Sequence, residues 1–188
     1  MKTVVLFIQG GGEGAHAADA VLAASLQKSL GDEYEVRYPQ MPGESDPEMQ
    51  AWKVQIAKEL AALDGPVVLV GHSLGGSTLL SYLSEDTVEK PIAGLFLLAA
   101  PSWDEEKWNF DDLRLPGDLA AKLSWIPRIF LYHNRDDESV PFDHLALHAA
   151  RLPRAVVRAA ETGGHQFGEG LAHVATDIRS VAQSNQAV

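Results

Sequence analysis

Three residue types set far apart in this chain could together perform acyl-transfer chemistry: a serine at Ser73, an aspartate at Asp137 and a histidine at His165. Gly71-His72-Ser73-Leu74-Gly75 has the form of a nucleophile elbow. The apolar run Pro66–Val70 before it reads as a buried strand, and the stretch Leu74–Leu83 after it suits a helix. In that setting Ser73 sits on a sharp strand-to-helix turn with its hydroxyl exposed at the carboxyl end of a sheet. Glycines at 71 and 75 are needed where the turn brings backbone against backbone.

The partners follow in the order serine, acid, histidine. Arg128–Tyr132 reads as a further strand running into His133-Asn134-Arg135-Asp136-Asp137-Glu138-Ser139-Val140-Pro141. An acid just past a strand end, two residues before Val-Pro, matches Asp137, with Asp136 as the competing assignment. His165 lies in the glycine-flanked loop Glu161–Phe167, between the strand Ala155–Ala159 and a carboxyl-terminal helix. From such a loop an imidazole reaches the serine while its other nitrogen donates to the acid, which fixes its tautomer. An oxyanion formed in the reaction needs two N–H donors. Leu74, directly after the nucleophile, supplies one; the loop Gln9-Gly10-Gly11-Gly12 supplies the other, with Gly11 the first choice and Gly10 and Gly12 beside it.

The same loop carries a rival reading. Gly10-Gly11-Gly12-Glu13-Gly14-Ala15 satisfies the dinucleotide-binding pattern G-x-G-x-x-A after a strand and before a helix. That pattern requires an acid near the end of the second strand to hold a ribose, and Tyr34–Pro39 ends instead in Arg37-Tyr38-Pro39. It also leaves the elbow, Asp137 and His165 without a purpose. A binding or interaction protein built on a hydrolase fold is the other alternative, and an intact set of catalytic residues argues against it.

With these motifs in place, the chain resembles the α/β-hydrolase superfamily, and within it the small group typified by retinoblastoma-binding serine hydrolase and its bacterial relatives. The resemblance rests on the strand and glycine loop at 3–12, Gly71–Gly76, Asp136-Asp137 before Val140-Pro141, and Gly164-His165-Gln166-Phe167. It implies a three-layer α/β/α sandwich around a parallel six-stranded sheet of order 2-1-3-4-5-6, without a large lid. It further implies hydrolysis of a carboxylic ester or an amide of a small molecule through an acyl-enzyme on Ser73. A retinoblastoma-protein partner is not implied.

The elements that must position these residues alternate along the chain. Strands are expected near 3–8, 34–38, 66–70, 92–98, 128–132 and 154–159, and helices near 16–30, 47–62, 75–84, 118–124, 142–151 and 169–183. Strands with almost no polar alternation indicate a parallel sheet covered on both faces. No repeat or linker interrupts the rhythm, so one domain over residues 1–188 is expected, frayed after about Gln183. The irregular stretch Pro101–Pro127 holds Trp103, Trp108, Phe110 and Trp125 among Asp104, Glu105, Glu106, Asp111 and Asp112. These aromatics either rim the active site and touch substrate, as Gly10, Gly12 and His72 could, or tie a long loop to the domain.

Composition narrows the remaining classes. With 188 residues, 46% of them hydrophobic, the chain can bury a sizeable core. A net charge of −11 leaves no basic stripe for nucleic acid or an anionic membrane. With no cysteine, disulfides, thiolate metal sites and a cysteine nucleophile are excluded. The opening apolar run serves as the first strand and is too short for a signal peptide, which makes a cytoplasmic enzyme the expectation. His144 and His148 are spaced to share a helical face, but no glutamate adjoins His144 as the zinc-protease pattern requires. They are expected to face solvent, and no metal or other cofactor is expected.

Overall fold

In a computed structural model of the protein, residues 2–85, 88–105 and 108–186 are described. Six parallel strands form the central sheet: β1 (Thr3–Ile8), β2 (Tyr34–Arg37), β3 (Val67–His72), β4 (Ile92–Leu98), β5 (Ile129–Asn134) and β6 (Val156–Ala160). Their order is 2-1-3-4-5-6. Helices α1 (Ala15–Leu30), α2 (Met49–Ala61), α3 (Leu74–Glu85), α4 (Leu119–Lys122), α5 (Asp143–Arg151) and α6 (Ala172–Gln186) connect or follow them.

Strand alternation sorts the apolar residues into two layers. Leu6, Ile8, Leu69, Leu95, Leu97 and Leu131 pack with Trp52 and Ile56 of α2, Leu79 and Leu80 of α3, and Leu145 of α5. Val5, Phe7, Val68, Phe96, Phe130 and Tyr132 face the other way, toward Leu22 and Leu26 of α1 and Val174 and Ile178 of α6. The central strands β3 and β4 are buried along their full length, which is why they read as unbroken apolar runs. At the sheet's edge β6 departs from that rule: Val157, Arg158, Ala159 and Ala160 are all exposed.

Two strands run further than their hydropathy suggests. Gly71 and His72 still pair with Leu97 and Leu98, and His133 and Asn134 with Ala159 and Ala160. Polar side chains end the apolar signal, but the backbone ladder continues. The stretch 101–127 is more ordered than its composition implies. It contains an antiparallel pair (Asp104–Glu105 with Trp108–Asn109), a 3₁₀ turn (Asp111–Leu113) and α4, and it buries Leu113, Leu119, Leu123 and Ile126. Glu106 lies outside the described residues. At the carboxyl end α6 continues to Gln186, past the expected fraying point, and residues 187–188 lie outside the described residues.

The order in which strands are added reverses between β1 and β3, which are parallel hydrogen-bonded neighbours. The chain leaves β1 toward α1 and leaves β3 toward α3, so a crevice opens at the carboxyl ends of these strands. Close packing fixes α3 there. A Cβ added to Gly75 would run into the Gln9 carbonyl oxygen and lie 2.5 Å from that of Ile8, both backbone atoms that cannot rotate away. Gly75→Ala should therefore cost about 1–3 kcal/mol or more in urea unfolding. Gly117→Ala, in open space, should change it by less than about 0.5 kcal/mol.

Candidate active site

Ser73 occupies the turn between β3 and α3 with φ at 51°, in the left-handed region that a residue with a side chain seldom adopts. Its N–H donates to Leu98 O (2.8 Å), and its carbonyl accepts from Gly76 N (3.0 Å) and Ser77 N (3.3 Å). These bonds tie the elbow to β4 and start the helix. A Cβ on Gly71 would lie 2.6 Å from Gly76 Cα, so glycine is required where the strand and helix backbones cross. Ala99 and Phe167 are the other non-glycine residues at positive φ among those described, at 47° each. All three lie at the carboxyl edge of the sheet, where strain of about 1–3 kcal/mol per residue is held by surrounding structure.

The loop after β1 lies directly against the elbow. Gly10 N donates to Asp19 Oδ2 (2.7 Å), and Gly12 N to Glu44 O (2.6 Å). Gly11 N, between them, and Leu74 N at the start of α3 have no acceptor among the described residues. A side chain at Gly11 would collide with that of Leu74, so the two donors belong to adjoining stretches of backbone. The α3 dipole adds partial positive charge there. The flanking Gly10 and Gly12 amides are already engaged within the protein.

Three successive acids hold the loop that carries His165. Asp136 accepts from Gly163 N (3.2 Å) and Gly164 N (2.9 Å), and Glu138 Oε2 from His165 N (3.1 Å). Asp137 Oδ2 accepts from His165 Nδ1 (2.9 Å) and lies 3.1 Å from His133 Nε2. The Asp137 Oδ1 atom accepts from Ser139 N and Val140 N, both at 2.8 Å. Burial alone would raise the pKa of Asp137, but the two histidines and two amides reverse this and hold the carboxyl well below its usual range. Asp137 is thus an anion that orients His165 through Nδ1, leaving Nε2 as the nitrogen available to a proton donor. No hydrogen bond joins Ser73 Oγ to His165 among the described residues.

His72 does not line the substrate side of the crevice. It is 1% exposed, with Nδ1 2.8 Å from Asp19 Oδ2 and Nε2 3.0 Å from His165 O, so both nitrogens are used inside the protein. Trp103 packs against the core and lies 5.3 Å, centroid to centroid, from Trp108, whose ring stands edge-on to His144 at 5.0 Å. These contacts favour the aromatics as a tie between the loop and α5. The expectation that His144 and His148 face solvent is overturned: both are buried. His144 Nδ1 accepts from Ser102 N (2.8 Å), and His148 Nε2 donates to Ala100 O (3.1 Å). The loop after β4 covers them, a contact that helix spacing does not reveal. No cluster of three metal-ligating side chains occurs among the described residues.

Asp19 and His133 are the residues that the motifs did not disclose. A signal for Asp19 exists: it lies on α1 in phase with buried Leu22, Ala23, Leu26 and Leu30, an acid on the apolar stripe. His133 offers no such signal, since its proximity to Asp137 depends on the turn at 134–137.

Burial of His148 predicts a pH effect on stability. Burial is the chief cause that lowers its pKa from 6.5 to about 4, and Nδ1 has no partner to receive a proton's charge. A group depressed in this way stabilises the fold above its unfolded pKa, and that contribution is lost as pH falls from 6.5 toward 4. Glutamine in His148→Gln can keep the donor to Ala100 and does not titrate. Its unfolding free energy should fall less steeply than the wild type's across that interval, measured by urea titration at each pH.

The sequence profile of the family described as serine hydrolase matches residues 19–177. No curated protein sequence matches the chain. Among solved structures, the ydeN gene product of B. subtilis is similar at 19% identity and a TM-score of 0.78, over 97% of this chain and 100% of that one. A putative YdeN-like hydrolase of Pectobacterium atrosepticum matches at 15% identity and 0.71, over 96% and 91%. Est1E of Butyrivibrio proteoclasticus, solved with ferulic acid bound, matches at 14% and 0.66, over 99% and 90%. At these identities the structures establish a shared fold. With the profile covering most of its length, the chain belongs to the serine hydrolase family.

Proposed function

We propose that the protein hydrolyses a carboxylic ester of a small molecule through an acyl-enzyme on Ser73, with His165 as general base and Asp137 as its orienting acid. The observation that carries this reading is the His165 Nδ1–Asp137 contact at 2.9 Å, made beside an elbow serine held at positive φ. His165 Nε2 takes the Ser73 proton as Oγ attacks the carbonyl carbon, and the N–H groups of Gly11 and Leu74 receive the oxyanion. His165 then protonates the leaving alcohol. Water, deprotonated by the same nitrogen, attacks the acyl carbon, releases the acid and restores Ser73. Each oxyanion donor is worth about 3 kcal/mol in such a site.

Est1E, of the same fold, binds a carboxylic acid, ferulic acid, and an ester asks less of the leaving-group acid than an amide does; both favour an ester. The dinucleotide alternative meets an obstacle at α1. Glu44 Oε2 already accepts from His16 N (2.7 Å) in the first turn of that helix, so a carboxylate stands where a pyrophosphate would bind. This protein needs no metal for the proposed steps.

Ser73→Ala should abolish hydrolysis of p-nitrophenyl esters with the circular dichroism spectrum unchanged; retained turnover would remove Ser73 from the mechanism. Asp137→Asn should reduce kcat by about 10⁴, as loss of the orienting acid does elsewhere. Asp136→Asn should lower it far less, because it alters only the caps on Gly163 and Gly164. The opposite ranking would transfer the orienting role to Asp136.

A further inference from the structure

Asp19 is a fully buried carboxylate outside the proposed triad, and one of its oxygens reaches two parts of the site. Oδ2 accepts Gly10 N–H at 2.7 Å, in the loop that presents Gly11 N–H. The same atom lies 2.8 Å from His72 Nδ1, and His72 Nε2 lies 3.0 Å from the carbonyl oxygen of His165. A side-chain interaction with Gln166 adds a second link to the base loop. The rings of His72 and His165 are also in contact, 4.7 Å between centroids. An unpaired carboxylate could not be kept here: burial penalises its charge, and the bonds from His72 and Gly10 outweigh that penalty.

We propose that Asp19 and His72 are positioning residues for this reaction, a buried acid–imidazole strut that fixes the distance between the oxyanion loop and the base loop. The inference rests on the proposed triad. Oxyanion donors gain their effect by being held where charge develops, and a base gains its effect by being held at the nucleophile. Each loop is anchored elsewhere as well, the first by Glu44 and the second by Asp136 and Glu138. Among the described residues, the hydrogen-bonded paths from one to the other, Gly10–Asp19–His72–His165 and the side-chain link from Asp19 to Gln166, both pass through Asp19. Asp19 and His72 are each 1% exposed, so substrate does not touch them and the effect falls on the rate of the chemical step.

The test uses Asp19→Asn, His72→Asn, His72→Gln and the pair Asp19→Asn with His72→Gln, assayed for kcat and KM on p-nitrophenyl butyrate beside wild type and Ser73→Ala. In His72→Asn the side-chain amide stands in for Nδ1 and can keep only the Asp19 bond. In His72→Gln it stands in for Nε2 and can keep only the bond to the His165 carbonyl. The two His72 changes each cut the path through the imidazole. Asp19→Asn removes the negative charge at its centre while leaving an oxygen that can still accept from Gly10 N–H. Each should therefore lower kcat by about tenfold or more with KM within about twofold. The double variant should be no slower than the slower single one. Retention of kcat within twofold in Asp19→Asn or in either His72 variant would overturn the inference, as would a rise in KM with kcat intact. If Asp19→Asn does not fold, the two His72 variants decide alone. Turnover that survives Ser73→Ala would instead overturn the triad reading, and the strut with it.

Discussion

Ser73 can hold a left-handed conformation because the backbone on either side of it has nowhere else to go. The crossing of β3 and α3 at Gly71 and Gly76, and the seating of Gly75 on the carbonyls of Ile8 and Gln9, leave no room for a side chain at these points. Relaxing the turn would mean lifting α3 from the sheet and exposing Leu79, Leu80 and Leu83, all of them buried. Core burial of that kind, about 1.5–3 kcal/mol per side chain, readily outweighs the local strain. The same packing places the first turn of α3 against the loop after β1, so nucleophile and candidate oxyanion donors come from one rigid junction.

The base side of the crevice is built differently. The loop bearing His165 leaves β6, an exposed edge strand; it seats Phe167 and Leu171 in the core beyond the histidine, but the stretch 161–165 has no apolar side chain to anchor it. Carboxylates do that work: Asp136, Asp137 and Glu138 each accept hydrogen bonds from it, and Asp19 reaches it through His72. Packing sets the nucleophile and charge-assisted hydrogen bonding sets the base. The two halves should differ in their response to acid, which protonates the second kind of contact and leaves the first untouched.

Much of this was legible in the sequence, for physical reasons that can be named. Central parallel strands are apolar on both faces, so β1, β3, β4 and the body of β5 appear as plain runs. The elbow appears because backbone crossings demand glycine at fixed offsets. The polar ends of strands were less visible: His72 and His133 terminate the hydropathy signal while still within the ladder. His144 and His148 were misread because their cover comes from the loop after β4, distant in sequence. Spacing favours Asp137 over its neighbour Asp136 but leaves Asp136 as a competitor. Geometry separates them, one on loop amides and the other on the imidazole. Asp19 was readable in principle, as an acid in phase with the apolar stripe of α1, but nothing in the sequence says what it would pair with.

The central claim is that Ser73 is an activated nucleophile. Intact-mass measurement after exposure to a fluorophosphonate tests it most directly, with peptide mapping to locate the adduct. The account predicts a single phosphonyl adduct on the wild type, located on the peptide containing Ser73, and none on Ser73→Ala. A folded wild-type protein that takes no adduct, or takes it elsewhere, would contradict it.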